Sequence, residues 1–81
     1  MRLPRDLAGE DLARRLERVG YAVTRQTGSH LRLTTAVKGS HHVTIPRHSS
    51  LKVGTLSEIL KSVAAHLEIA VPDLLREIGL D

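Results

Sequence analysis

At 81 residues the chain has material for one domain near the lower end of what folds alone, and 41% of it is apolar. Tyr21 is its sole aromatic residue, so the core must be built from Leu, Val, Ile and Ala, and little remains for a base-stacking platform on a sheet. The net charge of +3 is modest, and the absence of cysteine excludes disulfides and cysteine-based zinc sites.

Met1 to Leu7 reads as a short arm containing Pro4. From Gly9 to Val19, Leu12, Leu16 and Val19 recur at helical spacing with Ala13 beside them. Glu10 and Asp11 suit the positive first turn, and Gly20 suits a C-terminal cap. Glu10–Arg14 and Asp11–Arg15 are favourable i,i+4 pairs, so this helix is expected to show solvent a paired, charged face.

Three strands should follow. Tyr21 to Thr27 is rich in β-formers and ends at the turn signal Gly28-Ser29, where glycine is expected to supply a conformation open mainly to glycine. Ser29 to Thr35 alternates, with Leu31 and Leu33 on one face and His30, Arg32 and Thr34 on the other. After Lys38-Gly39-Ser40, His41 to Ile45 alternates again: His41, Val43 and Ile45 inward, His42 and Thr44 outward. Pro46 should end that strand.

A loop from Arg47 to Gly54 then leads to Thr55-x-x-Glu58, the pattern of a capping box, with Gly54 a second expected special conformation. Leu56, Ile59, Leu60, Val63 and Leu67 form a long apolar stripe behind it. Val71-Pro72 and Gly79 bracket a short last helix. The expected fold is α+β: a single domain over residues 1–81, a two-layer sandwich of order α-β-β-β-α. Its antiparallel three-stranded sheet carries both main helices on the apolar face, and a short C-terminal helix follows.

Charge distribution points to the chemistry. From Val23 to Gly54 the chain carries Arg25, Arg32, Lys38, Arg47 and Lys52, while all nine carboxylates lie outside. Such segregation suits a middle segment that faces a phosphate polymer. His30 stands beside Arg32 on the outward face, and an imidazole is a side chain able to take or give a proton at physiological pH. With RNA it would take the 2′-hydroxyl proton, while Arg32 or backbone N–H groups stabilise charge growing on phosphate. The alternative is an idle surface histidine.

His42 faces the same way and can serve as a second proton-transfer group or a phosphate contact. His41 and His42 point to opposite faces and no carboxylate lies nearby, so no protein metal site and no cofactor are expected. Arg47, Lys52 and the helix start at Thr55 would bring cations and free N–H groups to backbone phosphate, or else form an ordinary solvated loop. His66 and the acidic last helix read as structural or oligomeric. No signal-like start or membrane-length apolar run is present, so the expectation is a cytoplasmic protein with no membrane partner.

The elements Leu16-x-x-x-Gly20-Tyr21, Arg25-Gln26-x-Gly28-Ser29-His30, Val43-x-Ile45-Pro46-x-x-His48 and Gly54-Thr55-Leu56-x-x-Ile59-Leu60 resemble, in order and spacing, the HicA toxin family of mRNA interferases. The likeness spans about residues 9 to 65 and leaves 66–81 as an extension. It implies a double-stranded-RNA-binding-domain-like fold and metal-independent RNA cleavage centred on His30. It also implies a HicB-type antitoxin partner. A non-catalytic RNA-binding module of the same fold remains an alternative, as does a structural subunit acting through its last helix.

Overall fold

The computed structural model describes residues 3–81; of the expected N-terminal arm, Met1 and Arg2 lie outside the described residues. Helix α1 (Gly9–Leu16) runs into a 3-10 turn (Glu17–Val19), followed by β1 (Ala22–Gln26), β2 (His30–Thr35) and β3 (His41–Pro46). Helices α2 (Val53–Leu67) and α3 (Val71–Glu77) complete the chain. The strands form one antiparallel sheet in the order β1-β2-β3. The α+β sandwich expected from periodicity is therefore the fold.

Strand alternation decides which side is covered. Leu31 pairs with Ile45 and Leu33 with Val43, and all four are buried. Against them lie Leu12 and Leu16 of α1 and Leu56, Leu60 and Val63 of α2, each fully buried. Each such side chain contributes about 1.5–3 kcal/mol on leaving water. The interleaved pairs His30–Pro46, Arg32–Thr44 and Thr34–His42 fall on the other side. Among the described residues no helix packs there, where the side chains are mainly polar or charged.

β1 differs from its neighbours: all five of its residues are exposed. Its register slips between Val23 and Arg25, leaving Thr24 as the extra residue of a bulge. A bulge and an arginine on an outer strand discourage pairing with another chain.

Two glycines are needed for geometry. Gly20, at φ 99°, ends the 3-10 turn in the left-handed region while the Tyr21 N–H donates to the Leu16 carbonyl at 3.2 Å. Gly9 opens α1 hard against the sheet: its N–H donates to the His48 carbonyl at 2.9 Å, and a methyl group there would run into the Pro46 carbonyl.

Several local expectations are corrected. Helix α2 begins at Val53, with Lys52 at the N-cap and no side-chain cap, so Thr55 sits inside the first turn and forms no capping box. The start is set upstream, where Leu51 is buried and its N–H donates to the Leu7 carbonyl at 2.8 Å. Gly28 and Gly54 are absent from the left-handed region, which holds Gly20, Gly39 and Gly79, and a Cβ at either would meet only open space. Glu10 does not pair with Arg14; Asp11 takes both Arg14 at 2.8 Å and Arg15 at 3.3 Å, while Glu10 reaches Arg47.

The tail beyond residue 66 completes the core. Leu74, Leu75 and Ile78 are buried within the same apolar cluster as the sheet. Arg15 of α1 donates to the Ile78 and Gly79 carbonyls at 3.0 and 2.9 Å, neutralising the negative end of α3. Much of the apolar side of this helix is thus occupied by the chain's own core. Among the described residues, no helix is long and apolar enough to cross a membrane.

Candidate nucleic-acid interface

The turn that delivers His30 is built by its neighbours. The Thr27 hydroxyl accepts from the His30 N–H at 3.0 Å and the Ser29 N–H at 3.3 Å, and the Thr27 N–H donates to the His30 carbonyl at 3.0 Å. From the next loop, the Arg47 N–H donates to the Ser29 carbonyl at 2.8 Å. Its guanidinium donates to the Thr27 carbonyl at 2.7 Å and, through two nitrogens, to Glu10 at 2.9 and 2.6 Å. Arg47 therefore clamps the turn to the start of α1. Its charge is matched by the Glu10 carboxylate, so in the free protein it braces the turn. Thr27 and Glu10 are missed by sequence reasoning; the only hint is that a threonine preceding Gly-Ser favours a side-chain-closed turn.

From that turn His30 projects from the uncovered face, exposed, with Nδ1 2.8 Å from the Ser29 hydroxyl. Arg32 follows two residues along β2 on the same face, and Arg25 pairs with it across β1. Two guanidinium groups thus stand one step from the imidazole. No carboxylate occurs anywhere from Val23 to Gly54 to neutralise them.

At the far end of this face the hydroxyls of Thr24 and Thr34 lie 2.8 Å apart, and Thr34 is 2.8 Å from His42 Nδ1. This chain of hydrogen bonds crosses all three strands. His42 pairs with Thr34, four residues from His30. At the rise of a strand that is roughly 13 Å, too far for both imidazoles to serve one phosphorus. The two imidazoles therefore mark separate points along the open face.

Lys52 and Thr55 belong to the other layer. They lie at the N-cap and in the first turn of α2, on the covered side of the sheet, and no hydrogen bond joins them to the open face. The structure brings together His30, Arg32 and Arg25, with His42 farther along. Lys52 and Thr55 stand at the rim.

A second histidine group lies on the covered side. The Tyr21 hydroxyl is 2.7 Å from His41 Nδ1, His41 Nε2 is 3.3 Å from the Ser62 hydroxyl, and the His41 and His66 rings stack at 4.4 Å. His66 Nε2 donates to the Val37 and Gly39 carbonyls at 2.7 and 3.1 Å, tying α2 to the β2–β3 loop. Burial, then the nearby His66 and His42, push the His41 pKa below its ordinary value of 6.5. Burial also raises the Tyr21 pKa, so its phenol stays protonated while hydrogen-bonded to Nδ1. These groups are joined to each other and hold the sheet to α2.

The open face thus suits a polyanion: cations without carboxylates, hydroxyls, and imidazoles with one nitrogen turned to solvent. Comparison with known proteins agrees with a fold and motif set of this kind. A family model described as the HicA toxin of bacterial toxin–antitoxin systems matches residues 9–64, from the first residue of α1 to within the last turn of α2. No curated protein and no solved structure matches the chain. With more than half of its length matched, the chain belongs to the HicA toxin family, the toxin side of a toxin–antitoxin pair.

Proposed function

We propose that this toxin is an mRNA interferase, an endoribonuclease that cleaves RNA by acid–base chemistry on the open sheet face without a metal cofactor. The observation that carries the reading is the exposed His30 imidazole, set on a clamped turn beside Arg32 and Arg25. Acting as base, Nε2 takes the proton of a ribose 2′-hydroxyl. The freed oxygen attacks the adjacent phosphorus, and the bond from phosphorus to the 5′-oxygen breaks as that oxygen takes a proton from solvent. The chain then ends in a cyclic phosphate on one side and a 5′-hydroxyl on the other. Arg32 and Arg25 hold the phosphate and stabilise the charge that grows on it. His42 meets a neighbouring part of the strand, with Lys52 and the first turn of α2, which holds Thr55, guiding backbone phosphate.

The antitoxin side of the pair is proposed to be a HicB-type protein that blocks this face, and the cytoplasm, where mRNA is translated, is the proposed compartment. A carboxylate-bearing segment laid over His30 and the two arginines would neutralise the same groups that RNA uses.

Incubating the purified protein and its His30→Ala variant with RNA in EDTA tests the proposal. General acid–base help is worth ~10²–10⁴-fold, so the variant should lose cleavage on that scale. Equal cutting by both proteins would remove His30 from the reaction, and cutting only on addition of metal would overturn the metal-free route. RNA retained at every pH from about 5 to 9 with no cut would leave a binding module of the same fold.

A further inference from the structure

We infer that Ser29 is the positioning residue of the site: its hydroxyl holds Nδ1 of His30 and leaves Nε2 as the nitrogen presented to RNA. The assignment rests on the nuclease reading above for its consequence, but the contact itself is a property of the free protein.

Ser29 can do this because its backbone is held on both sides. Its N–H donates to the Thr27 hydroxyl at 3.3 Å and its carbonyl accepts from the Arg47 N–H at 2.8 Å. Arg47 is anchored in turn to Thr27 and Glu10. A hydroxyl on a freely moving turn would exchange its partner with water at little cost. Here it starts from a fixed point, with its oxygen 2.8 Å from Nδ1.

A hydroxyl is also suited to a ring that must change protonation state. It donates to a bare Nδ1 and, by rotating, accepts from a protonated one. The imidazole therefore keeps its orientation as Nε2 gains and loses a proton, and no group has to be rebuilt between the two halves of the reaction. A carboxylate there would hold a proton on Nδ1, and an amide would have to flip. His42 shows the same arrangement, with its Nδ1 on the Thr34 hydroxyl at 2.8 Å, so both imidazoles of the open face direct Nε2 outward. His41, with both nitrogens engaged, shows what a histidine of this protein looks like when it has no proton to move.

The test compares wild type, Ser29→Ala and Ser29→Thr, reading the His30 ring nitrogens by NMR in the free protein and RNA cleavage in parallel. Ser29 is exposed, so both variants should fold, and unchanged backbone spectra away from the turn would show it. Ser29→Ala should move the Nδ1 resonance of His30 and lower kcat about 10- to 100-fold with KM little changed; Ser29→Thr, which keeps the hydroxyl, should restore both. An Nδ1 resonance that stays put in Ser29→Ala, or a wild-type kcat in that variant, would overturn the assignment. A resonance that moves while wild type itself cuts no RNA would uphold the Ser29 contact and bring down only the nuclease reading.

Discussion

Two histidine groups occupy opposite sides of one small sheet and differ in what is left over. On the open side, His30 and His42 each use Nδ1 on a neighbouring hydroxyl. On the covered side, His41 uses both nitrogens and stacks on His66, whose Nε2 holds two carbonyls. The same side chain is a chemical group in one place and a building piece in the other. Strand alternation makes the choice, since His41 and His42 are adjacent in the chain and face opposite ways.

That contrast breaks most sharply under alanine substitution. His30→Ala should cost ~10²–10⁴-fold in RNA cleavage. Its thermal stability should stay within about 0.5 kcal/mol of wild type, because the ring is exposed and holds no element in place. His41→Ala should do the reverse. It leaves the buried Tyr21 hydroxyl without its partner, a loss of about 1–3 kcal/mol. For a domain of this size each 1 kcal/mol lowers Tm by roughly 4–8 °C. Calorimetry and a cleavage assay on both variants would show whether the two effects separate; a His30→Ala protein that melts early would dissolve the distinction.

A smaller effect sharpens the reading of the open face. If Arg32 holds phosphate, Arg32→Gln should weaken RNA binding across sequences alike. It should also make the log–log salt dependence shallower by about 0.7 for single strands. Binding isotherms from low to moderate salt measure it. A slope identical to wild type would place RNA somewhere other than this face.

Alternation and end signals made much of this legible in the chain. Leu31, Leu33, Val43 and Ile45 marked the covered side, and His30, Arg32 and His42 the open one. The helix stripes predicted what covers the sheet. What stayed hidden depends on residues distant in sequence. Nothing local says that Arg47 meets Glu10 across 37 positions and so braces a turn. The Thr55 capping box is a sound local pattern that loses to Leu51, whose burial and bond to Leu7 let α2 start three residues sooner. The tail reads as an appended helix because the apolar cluster it completes, and the Arg15 that caps it, lie at the other end of the chain.

The mildest test of the contrast uses pH. In the folded protein the His41 pKa lies below its ordinary 6.5, so as pH falls below that value the unfolded chain takes up a proton more readily than the folded one. Stability therefore rises with pH through this window and is lost on acidification. The groups facing the ring reinforce the direction. Tyr21 lies in the buried end of the contact with Nδ1, and the His66 ring stacks against His41. His42 lies next in the chain and adds a weaker repulsion, while Glu68, near His66, is itself held by Lys38 at 2.8 Å. His41→Gln removes the titration but keeps a polar side chain in place. Melting temperatures measured from about pH 7.5 down to about pH 5 should fall more steeply in wild type than in this variant. Parallel curves would mean that His41 is protonated as readily folded as unfolded, and the covered group would lose its claim to being purely architectural.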